Sequence, residues 1–561
     1  MTKKELSELS KEELVNLLME ASKSNDRLSE ENRKLQDKVA RLQKELELKK
    51  QLLKKFNIER YVSKEDSVST NKLFNARKAA EKVNPDKDKK PSADTPKKER
   101  KKHNDLDKSL TEEELERLSR LNPTITNDDL SKYDPSKYRI VSLGERVSYV
   151  IMRIPAETRV YKVVTKASKV TEIATGKEII VRPEPINISN SKYHSSVYSH
   201  IAFMKFFGGV PVFRYVRVEA SQGIDMPLRT AYNLITSGAD MLSGLYDHMA
   251  KYIGDPRMSS LYIDESTIKA IDLNTKEDGT KRTVCYILLT RGFLDGKFGF
   301  YYYEFAEDRK LGEIRENLRN AHDIVVHTDA YGPYKRILKE LDKNNVCHQT
   351  CIQHVIRYFL KVVDPRREEL DPSESVVAYV VQNLYRLYVL ESEFRDRGLS
   401  GDELIKARNA KDSSASVIED VRDYLSTVET GNPLLKTAIG YFVNNYDTMV
   451  TFLRNPDATI HNNMAEEGFK ILATDRNNFL FVRSGIGGRA CAIHLTIQQT
   501  ALSNGLDPCD YEEFLLETVR KRDFDNDYDK LLPWSDGIKE RIEDYKRRKA
   551  ALFSLSPRQV G

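Results

Sequence analysis

Four apolar runs between residues 261 and 328 constrain the fold of this chain more than any other feature. "LYIDEST" (261–267), "VCYILLTR" (284–291) and "FGFYYYEF" (298–305) have strand length and are rich in β-branched and aromatic residues. The second and third are joined by a turn at Asp295-Gly296. After a helical stretch, "KLGEIRENLR", comes "DIVVHTDAYGPY" (323–334), an apolar strand ending in Asp329 and a Gly-Pro turn. The helix "YKRILKEL" and a strand near "VCHQTC" complete the series. A three-strand meander followed by alternating helix and strand predicts an α/β sheet of mixed strand direction. In such a sheet the first and fourth strands can lie side by side, and their terminal acids, Asp264 and Asp329, then converge.

Carboxylates at the edge of a core are costly unless something compensates them: a salt bridge, a helix cap or a cation. Two that converge repel each other, and Mg²⁺ with oxygen ligands is the usual partner where phosphates are handled. "HNNMAEEGFKILATDRNNFLF" (461–481) offers a third acid. On a helix, Asn462 and Asn463 precede Glu466 by four and three residues and share its face. Glu467 points about 100° away. Asp264, Asp329 and Glu466 are therefore the expected metal-binding set, able to clamp the attacking and leaving oxygens of a phosphodiester between two ions.

The rest of the chain reads as further domains, since 561 residues exceed one ordinary core. Residues 25–56 carry heptads, with Leu28, Leu35, Leu42 and Phe56 in one row and Asn32, Val39, Leu46 and Leu53 in the other. That pattern predicts a dimeric coiled coil or an amphipathic helix folded back on its own domain. Residues 84–108 are almost devoid of apolar side chains, with eight Lys/Arg between 87 and 102. They read as a tether, able to hold phosphates loosely. From 137 to 182 the alternation is that of strands. The stretch 198–250 reads as helices, with a break at Gln222-Gly223-Ile224 and a new start at Pro227. Either a helix-turn-helix presenting Arg229, Thr230 and Asn233 to DNA or a plain αα-hairpin fits this pattern. The charge excess is only +5, so any basic surface must be local. No apolar run approaches 18 residues, which argues against a membrane span. The cysteines, Cys285, Cys347, Cys351, Cys491 and Cys509, form no disulfide framework and suit a reducing cytoplasm.

The motifs resemble those of the IS66 insertion-sequence transposases. "NNMAEEGF" is similar to that family's NNxAER block, and "DRNNFLFVRSGIGGRACAIHLTIQQTALSNGLDPCDY" follows its GRKNWLF stretch and the sequence after it. "VHTDAYGPY" parallels LQxDGYxxY, "LYIDEST" parallels HxDET, "CIQHVIRYF" is similar to CWAHxRRxF, and "LLPW" matches a frequent C-terminal signature. The resemblance implies a DDE transposase with an RNase H-like core. Its triad, carried over by position, is Asp264, Asp329 and Glu466. It implies cleavage of element ends by Mg²⁺- or Mn²⁺-activated water, then attack of the freed 3′-OH on target DNA. Its partners would be terminal inverted repeats, target DNA and a second copy of the chain through 25–56, in a bacterial, nucleoid-associated setting. A domesticated DNA-binding relative and a nuclease that cuts without joining are the alternatives. The family's two upstream Cys pairs are missing, since no cysteine precedes Cys285, so no zinc ribbon is expected. Glu467, His461 and Asn477 also depart from its pattern.

The expected architecture is multidomain α+β. It comprises a coiled-coil helix (1–60), a basic linker (61–125), a β-rich region (126–190) and a helical DNA-binding unit (191–255). An RNase H-like α/β core (256–354) follows, interrupted by a helical insertion (355–455) and resumed at 456–520, with a C-terminal tail (521–561). Lys470, Arg476, Arg483 and Arg489 are expected at DNA phosphates, with ordinary surface pairing the competing use for the arginines. Phe479 and Phe481 suit either base stacking or a core. Cys351 and His354, with Asn462 and Asn463, are expected to be structural beside the site.

Overall fold

A computed structural model describes residues 110–553, with breaks at 121, 128–129, 131–132, 155–156, 189–190, 270–283, 310–315, 342–343, 364–371 and 480–483; side chains are not described at 154, 157, 372, 374 and 475–479. The heptads at 25–56, the basic tether and Arg476, Phe479, Phe481 and Arg483 as side chains therefore lie outside the described residues.

Structure begins earlier than the expected linker boundary at 125. Helix α1 (Glu112–Ser119) starts at a capping box, in which Thr111 Oγ1 accepts from the Glu114 N–H and the Glu114 carboxylate accepts from the Thr111 N–H. The signal was the sequence "TEEE", a Thr followed by Glu three residues later. Strand β1 (Ile125–Asn127) then pairs in parallel with Val163–Thr165 of a later strand.

Strands β2 (Tyr138–Ile154) and β3 (Glu157–Glu172) form a long antiparallel ribbon, with β4 (Glu178–Val181) on the other edge of β3. The base of the ribbon is covered on both faces. Ile151 and Val160 join the main core, while Val150, Met152, Tyr161 and Val163 pack with Ile125, Ile186 and Phe553. Three helices follow: α2 (Ser195–Phe206), α3 (Val212–Ser221) and α4 (Leu228–Met249). Gly223, at φ +87°, makes the turn between α3 and α4.

The second sheet holds β5 (Ser260–Lys269), β6 (Val284–Leu294), β7 (Phe298–Ala306), β8 (Ile324–Thr328) and β9 (Val346–Thr350) in the order β7-β6-β5-β8-β9. The meander is antiparallel, and β5 pairs in parallel with β8, as β8 does with β9. The expected adjacency of the first and fourth strands is thus present. Leu261, Tyr262 and Ile263 are buried, and β8 is buried along its whole length, as befits central strands covered on both faces.

Helix α5 (Gly332–Glu340) follows β8 and α6 (Ile352–Leu360) follows β9. Helices α7 (Pro372–Asp396), α8 (Gly401–Arg408), α9 (Ser414–Ser426) and α10 (Pro433–Met449) follow, with Val380, Leu384, Ile418, Val421, Ala438 and Phe442 buried among them. The chain returns to the sheet through α11 (Asn463–Phe479) and α12 (Gly485–Ser503), and continues into α13 (Pro508–Lys521). The stretch after 521 is not a tail as far as Phe553. Leu531, Leu532, Ile538, Ile542 and Tyr545, the last three on α14 (Ile538–Leu552), belong to the main core. Trp534 lies edge-on to Tyr252 and Phe300. The apolar character of "LLPW" and the period of "IKERIEDYKRRKAAL" carry that burial. No described helix is long and apolar enough to cross a membrane.

Two properties of this packing are open to measurement. Helix α12 crosses β7 so closely that a Cβ on Gly488 would enter the Phe305 ring. Gly→Ala inside a helix ordinarily gains about 0.5–1 kcal/mol, but a rigid aromatic neighbour reverses the sign. Gly488→Ala is expected to lower stability by about 1–3 kcal/mol in urea titrations. Burial also lowers His200, His327 and His348 to about 3 each. The unfolded chain takes up protons below about 6.5, where the folded chain does not. Stability should therefore fall as pH drops from about 6.5 toward 3, read as a declining urea midpoint.

Candidate active site

Asp264 stands on β5, opposite Leu289 of β6. Asp329 follows the last residue of β8, and its Oδ1 accepts the Tyr331 N–H at 2.9 Å, ahead of α5. Glu466 lies in the first turn of α11. The adjacency of β5 and β8 brings the two aspartates to one region of the sheet. What brings Glu466 there is a set of hydrogen bonds along 457–468.

Ser260 Oγ donates to the Asp457 carbonyl at 2.7 Å. His327, wholly buried on β8, accepts the Thr459 N–H at Nε2 (2.9 Å), so Nδ1 carries the proton and donates to the Leu261 carbonyl at 3.0 Å. Its depressed pKa keeps this tautomer neutral. Asn462, also wholly buried, donates from Nδ2 to the Ile263 carbonyl at 2.9 Å, the residue before Asp264. The Cys351 backbone N–H donates to Thr328 O at 3.1 Å, while its Sγ accepts the Asn462 N–H at 3.3 Å. Cys351 thereby ties the strand end before Asp329 to the start of the Glu466 helix. Burial pushes its thiol up to about 11, which suits a neutral acceptor. Farther along, Arg291 Nη1 donates to Met464 O (2.7 Å) and Tyr303 OH to Gly468 O (2.7 Å).

The electrostatics show what this docking costs. Burial raises Asp264 to about 7, and the charge of Glu265, with further contributions from Asp329 and Glu466, pushes the same way. Burial also raises Asp329, partly offset by the Tyr331 N–H and by Arg309. All three acids therefore share one field. Each of the other carboxylates has an arginine nearby. Arg357 Nη2 bonds Glu466 Oε2 at 2.9 Å. Arg309 pairs with Glu265, lies 3.9 Å from Asp329 Oδ2 and stacks on the Tyr331 ring. Glu265 also accepts from the buried Tyr334 hydroxyl.

Oxygen donors of this kind suit a hard divalent cation. Glu466 Oε1, Asn462 Oδ1 and His354 Nδ1 are buried without a hydrogen-bond partner among the described residues, so polar capacity remains unused beside the acids. Among the described residues, no three His, Cys, Asp or Glu side chains stand close enough together to hold a metal ion. The acids converge as a field but not as a closed coordination shell.

The remaining expected residues divide. Asn463 begins α11 and is exposed, so it does not join the buried Asn462. Glu467 does diverge from Glu466, accepting from Arg291 Nη1 at 3.3 Å. His354 Nε2 accepts from Arg357 Nη1 at 3.3 Å, and burial lowers its pKa to about 4. Lys470, Arg229 and Asn233 are exposed and Thr230 half-buried. Arg489 is engaged with Asp247 Oδ1 at 2.9 Å and with the Tyr246 ring, the ordinary pairing use. Sequence reasoning passed over Arg309, Arg357, His327 and Tyr334. Arg357 stood within "CIQHVIRYF", but nothing local shows that it reaches a helix more than a hundred residues on.

The profile of the transposase IS66 family matches residues 190–490, more than half the chain, and spans all three acids. The chain belongs to the IS66 transposase family. The β2–β3 ribbon lies outside the matched region. Two curated relatives from Sinorhizobium fredii (strain NBRC 101917 / NGR234) are similar to this IS66-family chain. The uncharacterized protein y4jD is 26% identical, covering 70% of this chain and 76% of its own length. The uncharacterized protein y4hP is 22% identical, covering 74% of each. Among solved structures, the Drosophila P element transposase strand transfer complex aligns with 66% of this chain and 90% of its own, at 12% identity and a TM-score of 0.21.

The raised Asp264 pKa has a stability consequence. Its carboxyl gives up its proton near 7 when folded and near 3.8 when unfolded, so its contribution is present below 3.8 and lost as pH rises through 7. Asp264→Asn, which keeps an oxygen for the Glu265 N–H, should stabilise the chelator-treated protein at pH 8 by about 1–3 kcal/mol. The gain should vanish near pH 4 in paired thermal melts.

Proposed function

We propose that this chain is a DDE-type DNA transposase with an RNase H-like core. It would cleave DNA at insertion-sequence ends and join the freed 3′-OH to target DNA. The observation that carries the reading is the half-buried Asp264 on a central strand, sharing its field with Asp329 from the adjacent parallel strand and Glu466 from a late helix. The strand order, with an antiparallel meander on one side and two parallel strands on the other, supports the same reading. So does the family match across all three acids.

Asp264, Asp329 and Glu466 are the residues that would hold Mg²⁺ or Mn²⁺, as two ions. Those ions would supply an activated water for cleavage and charge stabilisation at the phosphate. The chain's own part is positional. Asn462, Cys351 and His327 fix the Glu466 helix against the two strands, and the charges of Asp329 and Glu466 both act on Asp264. Exposed Arg229 and Asn233 on α4, half-buried Thr230 and exposed Lys470 on α11 are suited to DNA, and Arg476 and Arg483 are proposed for the same use. In the joining step a 3′ oxygen forms a bond to a target phosphorus, and the target's own 3′ oxygen leaves. Self-association through residues 25–56 would bring two element ends together.

Incubating the full-length protein with labelled element-end DNA and Mg²⁺ or Mn²⁺ tests this. Cleaved ends and joined products should form and should disappear with chelator. Asp329→Asn should reduce both by more than about a hundredfold while leaving the DNA-binding affinity unchanged within about threefold. Cleavage without joining would identify a nuclease, and binding without cleavage a DNA-binding relative.

A further inference from the structure

We infer that Arg357 is a positioning residue for Glu466, engaging one carboxylate oxygen and leaving the other free for a cation shared with Asp264 and Asp329. The inference rests on the metal-dependent reading above and extends it to a residue outside the acid set. Arg357 sits on α6, directly after β9, whereas Glu466 is on α11 beyond the helical insertion. Its Nη2 engages Glu466 Oε2 at 2.9 Å. Glu466 Oε1 is left buried, with no hydrogen-bond partner among the described residues. A pair formed only to neutralise charge would leave the second oxygen to water or share the guanidinium across both. Here one oxygen is used up and the other is withheld from solvent.

The same guanidinium fixes a second group. Its Nη1 donates to His354 Nε2 at 3.3 Å, which requires the proton of the neutral ring to sit on Nδ1. His354 Nδ1 is likewise buried and unpartnered. One planar fork therefore engages the neighbours of an acceptor oxygen and a donor nitrogen, both buried and both without a hydrogen-bond partner among the described residues. Lysine, a point charge without the fork, could hold one of the two but not both. Helix α6 is itself anchored independently of Arg357, because the Cys351 N–H bonds Thr328 O and the Ile352 N–H bonds Ile460 O. Removing the guanidinium should loosen the carboxylate without unseating the helix.

Removing a group that orients a metal-binding carboxylate typically weakens metal affinity about ten- to a hundredfold. The opposing effect is that losing a cation near the acids favours a divalent ion, so the direction of change discriminates between roles. Calorimetric titration of the chelator-stripped full-length protein with Mn²⁺ should give roughly tenfold weaker binding for Arg357→Gln than for the unaltered protein. Arg357→Lys should recover part of that loss, and both variants should melt within a few degrees of the parent without metal. Equal or tighter Mn²⁺ binding by Arg357→Gln would overturn the positioning role and leave Arg357 as a competing counter-ion. If the unaltered protein shows no saturable Mn²⁺ binding, or Asp264→Asn binds as tightly as the parent, the metal reading itself fails, and the positioning role fails with it.

Discussion

The site depends on the docking of residues 457–468 onto the edges of β5 and β8. Apolar packing alone would place α11 over the sheet but would leave its rotation and register loosely defined, because dispersion and burial are not directional. Hydrogen bonds are directional. His327, Asn462 and Cys351 reach between backbones that are distant in sequence and give this segment one address. Each is buried and makes its hydrogen bond through the docking itself, so an undocked segment would strand polar groups in the core, at about 1–3 kcal/mol each.

The other constraint is charge. Gathering Asp264, Glu265, Asp329 and Glu466 into a partly buried region raises the protonation equilibria of the two aspartates, and the fold offsets this with Arg309 and Arg357. The resulting site is electrostatically strained at neutral pH and has buried polar atoms to spare. A wholly structural cluster would be expected to satisfy those atoms. Strain and unused polar capacity together are what the proposed metal-dependent reading calls for.

Much of this was legible in the sequence. The strands around Asp264 and Asp329 could be read because a central sheet needs uninterrupted apolar runs, and their adjacency followed from a meander joined to alternating helix and strand. The helical character of the stretch from Pro372 to Met449 and the break at Gly223 were also visible. The cap of α1 was overlooked although "TEEE" encoded it. The folded C-terminal stretch was misread because "LLPW" is short and α14 is mostly charged, with only Ile538, Ile542 and Tyr545 turned inward. Of the two asparagines, it is Asn462, just before α11, that is buried against β5, while Asn463 at the helix start is exposed.

The sequence by itself determined which residue types were available and which local elements they would form: apolar runs for strands, spaced apolar residues for helices, and acids at the places where those elements end. Periodicity and propensity act over a few residues, so these features are encoded locally. Only the tertiary structure decided that Arg357 would meet Glu466, that Arg309 would serve Glu265 and Asp329, and that a histidine on β8 would hold a backbone amide at Thr459. Those pairings join segments tens to more than a hundred residues apart. They depend on how the sheet, the insertion and the returning helix pack together, which no short window of sequence contains.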